Sequence, residues 1–85
     1  MREFRWNELK SARLKRTRGV SFDEITQEKL IVAREHPSHP EQQILLFERN
    51  GYIWVVPCVE HGKETFLKTL YPSRKYTKLY REGRL

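Results

Sequence analysis

The sequence predicts a single α+β domain over residues 1–85, with two N-terminal helices packed on an antiparallel sheet of about four strands and a short helix closing the chain. Three observations predict it. Helix-capping signatures fall within the first 24 residues, at Asn7 and at Ser21-Phe22-Asp23-Glu24. From Leu30 the apolar residues lose helical spacing and run in short stretches. Those stretches are separated by turn signals at Asn50-Gly51 and His61-Gly62-Lys63, which mark hairpins.

Taken in order, Phe4-Arg5-Trp6 alternates like a short edge strand, and Asn7 caps a helix that runs to about Arg18 through Leu9, Ala12 and Leu14. Gly19 ends that helix in a left-handed conformation, and Lys15, Arg16 and Arg18 put positive charge at the negative end of its dipole. Ser21 and Glu24 then form a capping box flanked by Val20 and Ile25 as a hydrophobic staple, so a second, short helix begins at Phe22. Leu30-Ile31-Val32-Ala33 reads as a strand ending before His36-Pro37. Further strands are expected at about Gln43 to Glu48, Tyr52 to Val59 and Thr65 to Tyr71. Pro57 lacks an N–H, so it calls for a bulge or for a neighbouring strand that has already ended. Both faces of the central strand are apolar, so the face that the first two helices leave open must be covered by the C-terminal segment, by a partner protein or partly by a substrate; the C-terminal helix, capped by Ser73, is the favoured cover.

Composition narrows the function classes. Hydrophobic residues make up 38% and charged residues 33% of the chain, which suits a folded domain with a wet surface. No apolar run approaches the ~20 residues of a membrane span, and Met1-Arg2-Glu3-Phe4-Arg5 lacks the apolar stretch of a signal peptide, so a cytoplasmic protein without membrane partners is expected. The single cysteine, Cys58, excludes an internal disulfide, and no His/Cys spacing suits a metal. Walker, Rossmann and GxSxG motifs are absent, so neither a cofactor nor a metal is expected.

Charge is segregated. Residues 1 to 18 carry a net +5, residues 68 to 85 another +5, and the segment between them a net −4. Folding that merged the two ends would make one patch for a polyanion such as RNA, or for an acidic protein. Lys10, Arg13, Lys68 and Lys78 are the candidate RNA-binding cations. Arg74 and Lys75 stand in the first turn of the last helix, where the dipole disfavours cations by about 0.3–1 kcal/mol each. The same turn offers an incoming phosphate free N–H groups and two positive charges. His36 and His39 lie in a proline-stiffened loop, where an imidazole suits proton transfer to or from an RNA oxygen.

Trp6 ahead of the first helix, the block Gly19-Val20-Ser21-Phe22-Asp23-Glu24, the His-containing loop and Pro72-Ser73-Arg74-Lys75 together resemble the BrnT-type toxins, in order and over nearly the whole chain. The resemblance implies a RelE-like ribonuclease fold and an intracellular toxin that cleaves RNA without metal. It also implies a BrnA-like antitoxin that neutralises the toxin and carries the complex to operator DNA. Arg74 and Lys75 match the family's Arg-Lys pair, Tyr80 is similar to its following helix tyrosine, and His39 resembles its loop histidine. On that basis Arg74 and Lys75 are expected to stabilise phosphate, His39 or His36 to act as base or acid, and Tyr80 to position or donate a proton. The alternative is a non-catalytic basic module that binds RNA or an acidic protein.

Overall fold

Asn7 opens the first helix, α1 (Glu8–Arg18), by accepting a hydrogen bond from the Lys10 N–H at 2.9 Å on its side chain. Gly19 closes it at φ 82°, a left-handed conformation that a side chain would strain. In this computed structural model, which describes residues 3–85, the second helix α2 (Phe22–Ile25) is a single turn. Its capping box is complete: Ser21 Oγ accepts from the Glu24 N–H, and the Ser21 N–H donates to Glu24 Oε1 at 3.0 Å. The staple residues Val20 and Ile25 are both buried.

Of the apolar residues along α1, only Leu14 packs inward. Ser11 and Leu14 are its buried residues, whereas Leu9 is 84% exposed and Ala12 is exposed. Helical phase accounts for this, since Leu9 lies about 200° around the axis from Ser11. Ser11 is tolerated inside because its Oγ accepts the Phe22 N–H at 3.0 Å, satisfying an opening N–H of α2 that has no helical partner.

Six strands form the sheet: β1 (Glu3–Arg5), β2 (Lys29–Glu35), β3 (Gln43–Arg49), β4 (Tyr52–His61), β5 (Glu64–Leu67) and β6 (Tyr71–Pro72). Their order is β1-β5-β4-β3-β2, with β6 also pairing with β4. The expected four antiparallel strands become six in a mixed sheet, because β1 runs parallel to β5 and the last expected strand divides in two. Residues 68–70 leave the ladder and send Leu70 into the core. Asn50 (φ 53°) and Gly51 (φ 79°) make the β3–β4 turn, both in the left-handed region that a tight hairpin of this twist requires.

Pro57 produces no bulge: β4 keeps one register against β3 throughout, with Pro57 opposite Ile44. Of the two expected solutions the second applies. The Pro57 carbonyl accepts from the Lys68 N–H on the side of β4 where β5 has ended and β6 has not begun, so the missing N–H faces a gap. The register shift falls instead in β2, between Leu30 and Val32.

Each face of the sheet has its own core. Leu14, Val20, Phe22 and Ile25 from the helical segment pack with Leu45, Phe47, Val56, Cys58, Leu67 and Leu70 on one side. On the other, Ile44, Leu46, Ile53 and Val55 lie under Tyr76, Tyr80 and Leu85 of the C-terminal segment, whose helix α3 spans Arg74–Arg81. The last helix therefore covers part of the second face, one of the coverings that the apolar pattern of the central strand allows.

Ion pairs tie the acidic middle of the chain to its own cations. Glu24 lies 2.9 Å from Lys15 and 3.6 Å from Arg49, and Arg49 also reaches Glu28 at 2.8 Å. The hydrogen bond from Lys15, followed by that of the Ser21 N–H, holds the Glu24 carboxyl down to about 2 from its ordinary 4.5. A carboxyl lowered on folding adds stability that is present above its unfolded value and is lost as pH falls toward the folded one. Glu24→Gln should therefore lower the melting temperature at pH 7, with the gap to wild type closing between about pH 4.5 and pH 2. Circular-dichroism melts across that range check this; a gap independent of pH contradicts it.

Candidate nucleic-acid interface

The third helix is fastened to a vacant stretch of the β4 edge. Ile53 lies beyond the two residues that β6 pairs with, and α3 takes the place of a strand there. The Ser73 N–H donates to the Ile53 carbonyl at 2.9 Å, and the Ile53 N–H donates to Thr77 Oγ1 at 2.8 Å. The Thr77 hydroxyl in turn donates to the Ser73 carbonyl at 2.6 Å. Thr77 is 2% exposed, so these bonds are shielded from water. Ser73 caps the helix through the Tyr76 N–H.

Helical spacing then distributes the side chains of α3 over two flanks. Arg74, Thr77, Lys78, Arg81 and Glu82 line a groove of about 260 Å³ whose other wall includes Tyr52. Lys75, one position on from Arg74, instead lies with its Nζ 5.6 Å from the centroid of the Tyr76 ring. The expected Arg74–Lys75 pair is thus divided, because neighbours on a helix point about 100° apart. Lys78 and Arg81, four and seven positions beyond Arg74, are its companions in the groove. No ion pair engages Arg74, Lys78 or Arg81 among the described residues. Glu82 is 3.4 Å from Arg84.

Tyr80 faces the sheet rather than the groove. Its hydroxyl bonds to the Glu48 carboxylate, which raises the phenol from its ordinary 10, with burial and the charge of Glu48 adding to the rise. Tyr71 is also raised, by burial first and by Tyr76 second.

The histidines lie elsewhere. His36 and His39 lie with ring centroids 4.7 Å apart and ring planes tilted by 57° in the β2–β3 loop. His36 Nδ1 accepts from the N–H groups of Ser38 and His39, at 3.0 and 3.2 Å, which assigns the proton of the neutral ring to Nε2 and gives His36 a loop-shaping task. His39 Nδ1 is 3.9 Å from Glu41. The loop ends at Gln43, opposite Cys58, whereas α3 is tied to Ile53. Those two anchor points are five strand residues apart, about 17 Å, and among the described residues neither imidazole lines the α3 groove or makes a hydrogen bond, ion pair or ring contact with Arg74, Lys75 or Tyr80.

The other expected RNA contacts also divide. Lys78 is in the α3 groove, and exposed Lys68 follows β5. Lys10 and Arg13 line a shallow groove with Asn7 and Leu9 on α1. Because α1 packs on one face of the sheet and α3 on the other, the two cationic ends make two surfaces rather than one merged patch. Arg18 is diverted inward, where its Nη1 donates to the Leu70 carbonyl.

Tyr52, Arg81 and Glu82 were not among the sequence candidates. The spacing of Arg74, Lys78 and Arg81 by four and three residues signals a shared helix flank, while nothing local links Tyr52 to it. Among the described residues no three His, Cys, Asp or Glu side chains gather as metal ligands, and no helix is long and apolar enough to cross a membrane. No family profile, curated protein or solved structure matches the chain. Fold and surface define a small α+β domain with a mixed sheet and an unpaired cationic groove along its last helix.

Thr77→Val keeps the shape of the side chain but leaves the buried Ile53 N–H without a partner, while the Ser73 carbonyl keeps the Thr77 N–H. It should cost about 2 kcal/mol or more, read in urea as a lower midpoint at unchanged slope. Glu48→Gln should bring the Tyr80 ionisation back toward its ordinary value, visible as an earlier tyrosinate absorbance rise in an alkaline titration; an unshifted rise would show that burial alone sets it.

Proposed function

We propose that the chain is a cytoplasmic RNA-cleaving toxin of the BrnT kind, with a RelE-like fold, held inactive by a BrnA-like antitoxin that also supplies contact with operator DNA. The single observation that carries this reading is the α3 groove, where Arg74, Lys78 and Arg81 face one opening without ion pairs, beside a carboxylate and a phenol. Three cations there attract an RNA phosphate and stabilise the negative charge that builds on it during cleavage.

The groove's own residues complete a metal-free reaction. The Glu82 carboxylate takes the proton from a ribose 2′-hydroxyl, whose oxygen attacks the adjacent phosphorus. The bond from phosphorus to the 5′-oxygen breaks, and that oxygen takes a proton from the Tyr52 phenol. Water returns the proton from Glu82 to Tyr52, leaving a 2′,3′-cyclic phosphate and a free 5′-hydroxyl. Lys75 and Tyr80 then support the site from its sheet-facing flank, and His36 and His39 take no part in proton transfer.

The second reading, a module that binds RNA or an acidic protein without cutting, draws on the histidines lying in the β2–β3 loop and not among the residues that line the α3 groove. One assay separates the two. Purified protein incubated with RNA and a chelator should cleave it, and Arg74→Ala should lose about 10²–10³ of the rate. His36→Ala and His39→Ala should stay within severalfold of wild type. A loss of tenfold or less for Arg74→Ala, or binding without cutting, moves the conclusion to the module.

A further inference from the structure

Two of the largest exposed apolar side chains are aromatic and lie in line. Phe66 is 43% and Tyr71 38% exposed, and neither belongs to either core cluster. The pairings Val59↔Phe66 and Val55↔Tyr71 put both on the face of the sheet that α3 partly covers, along one edge of β4. Four strand residues separate Val55 from Val59, so the two aromatic positions are about 13 Å apart. Tyr71 lies within electrostatic reach of Tyr76, whose ring centroid is 5.6 Å from Lys75 Nζ. Exposed Lys68 lies between the two aromatics in the chain. At the Phe66 end, neighbouring Arg5 is engaged by Glu64 at 2.9 Å and Glu3 at 3.3 Å, so that end offers a ring face rather than a free cation.

We propose that Phe66 and Tyr71 form a stacking platform for bases of a single-stranded RNA whose phosphates reach the cations of α3. The inference rests on reading α3 as the RNA-phosphate site and adds the form of the substrate. Aromatic faces beside free cations on an open sheet suit unpaired bases, which a duplex would keep stacked on each other. Every base has a π-face, so the platform selects for single strands more than for sequence. A protein partner would also cover exposed rings, but Lys75 on the Tyr76 side and exposed Lys68 between the two aromatics favour the nucleic acid.

The test is fluorescence anisotropy with the full chain and a labelled 2′-O-methyl oligoadenylate, which has no free 2′-hydroxyl and so resists cleavage. Inorganic polyphosphate serves as a competitor that carries charge and no bases. The F66A/Y71A double variant should bind the oligoadenylate at least about tenfold more weakly, while polyphosphate occupies both proteins equally. F66L/Y71L, which keeps apolar bulk and removes the rings, should lose a similar factor, with melting curves confirming that both variants fold. Wild-type affinity in both variants overturns the platform and assigns the aromatic strip to a protein partner. If the wild-type chain binds neither oligoadenylate nor polyphosphate, the α3 reading itself fails, and the platform with it.

Discussion

Everything at the cationic end of the molecule hangs from the joint at Ile53, where the Ser73 backbone and the Thr77 hydroxyl take the hydrogen bonds that a neighbouring strand would otherwise make. A sheet apolar on both faces needs two covering layers, and only α3 remains for the second once α1 and α2 occupy the first. Tying its first turn to the β4 edge sets the helix's rotation as well as its position. Tyr76 and Tyr80 then fall onto Ile44, Leu46, Ile53 and Val55, and Arg74, Lys78 and Arg81 are left on the outer flank. The groove is thus a consequence of packing, and its charges depend on a hydroxyl that carries none.

What the sequence revealed follows the range of the interactions involved. Asn7, Gly19, the Ser21–Glu24 box, Asn50-Gly51 and Ser73 act over two to five residues, and each does in the structure what its neighbours imply. The parallel pairing of β1 with β5 joins residues about sixty positions apart and leaves no local trace. The division of the last strand was hidden for a related reason: the apolar residues of 65–71 read as one run, while the break is imposed by Pro57, whose carbonyl takes the Lys68 N–H across the sheet. At the site, Arg74, Lys78 and the helix that carries them were legible. The distance from the histidines was not, because it is set by strand register rather than by spacing in the chain. Helical phase separates Lys75 from the Arg74 groove, just as it turns Leu9 to the outside of α1.

Charge segregation along the chain becomes segregation in space, though not the kind that adjacency of the ends suggests. Part of the acidic middle is neutralised within the fold, with Glu24 and Glu28 engaging Lys15 and Arg49 and Glu64 engaging Arg5, while Glu48 holds the Tyr80 hydroxyl. That leaves few carboxylates to neutralise α3, and Glu82 alone borders its groove. A polyanion approaching this flank meets several unpaired cations on a rigid element. Its affinity would therefore fall steeply as salt rises, as expected for contacts made mainly to phosphates.

The cations in the opening turn of α3 run against the helix dipole, and the cost is on the order of 1 kcal/mol for the pair. The joint at Ile53 can offset that, since shielded hydrogen bonds each contribute a similar amount. Moving Arg74 to the end of the helix would remove the penalty but also take the guanidinium away from Tyr52 and out of the groove. The arrangement is therefore stable enough to persist yet better completed by an anion, which would relieve the repulsion among Arg74, Lys78 and Arg81 while the helix stays fixed. If a phosphate binds at this groove as proposed, its binding would raise the stability of the joint by the same coupling through which the joint shapes the groove.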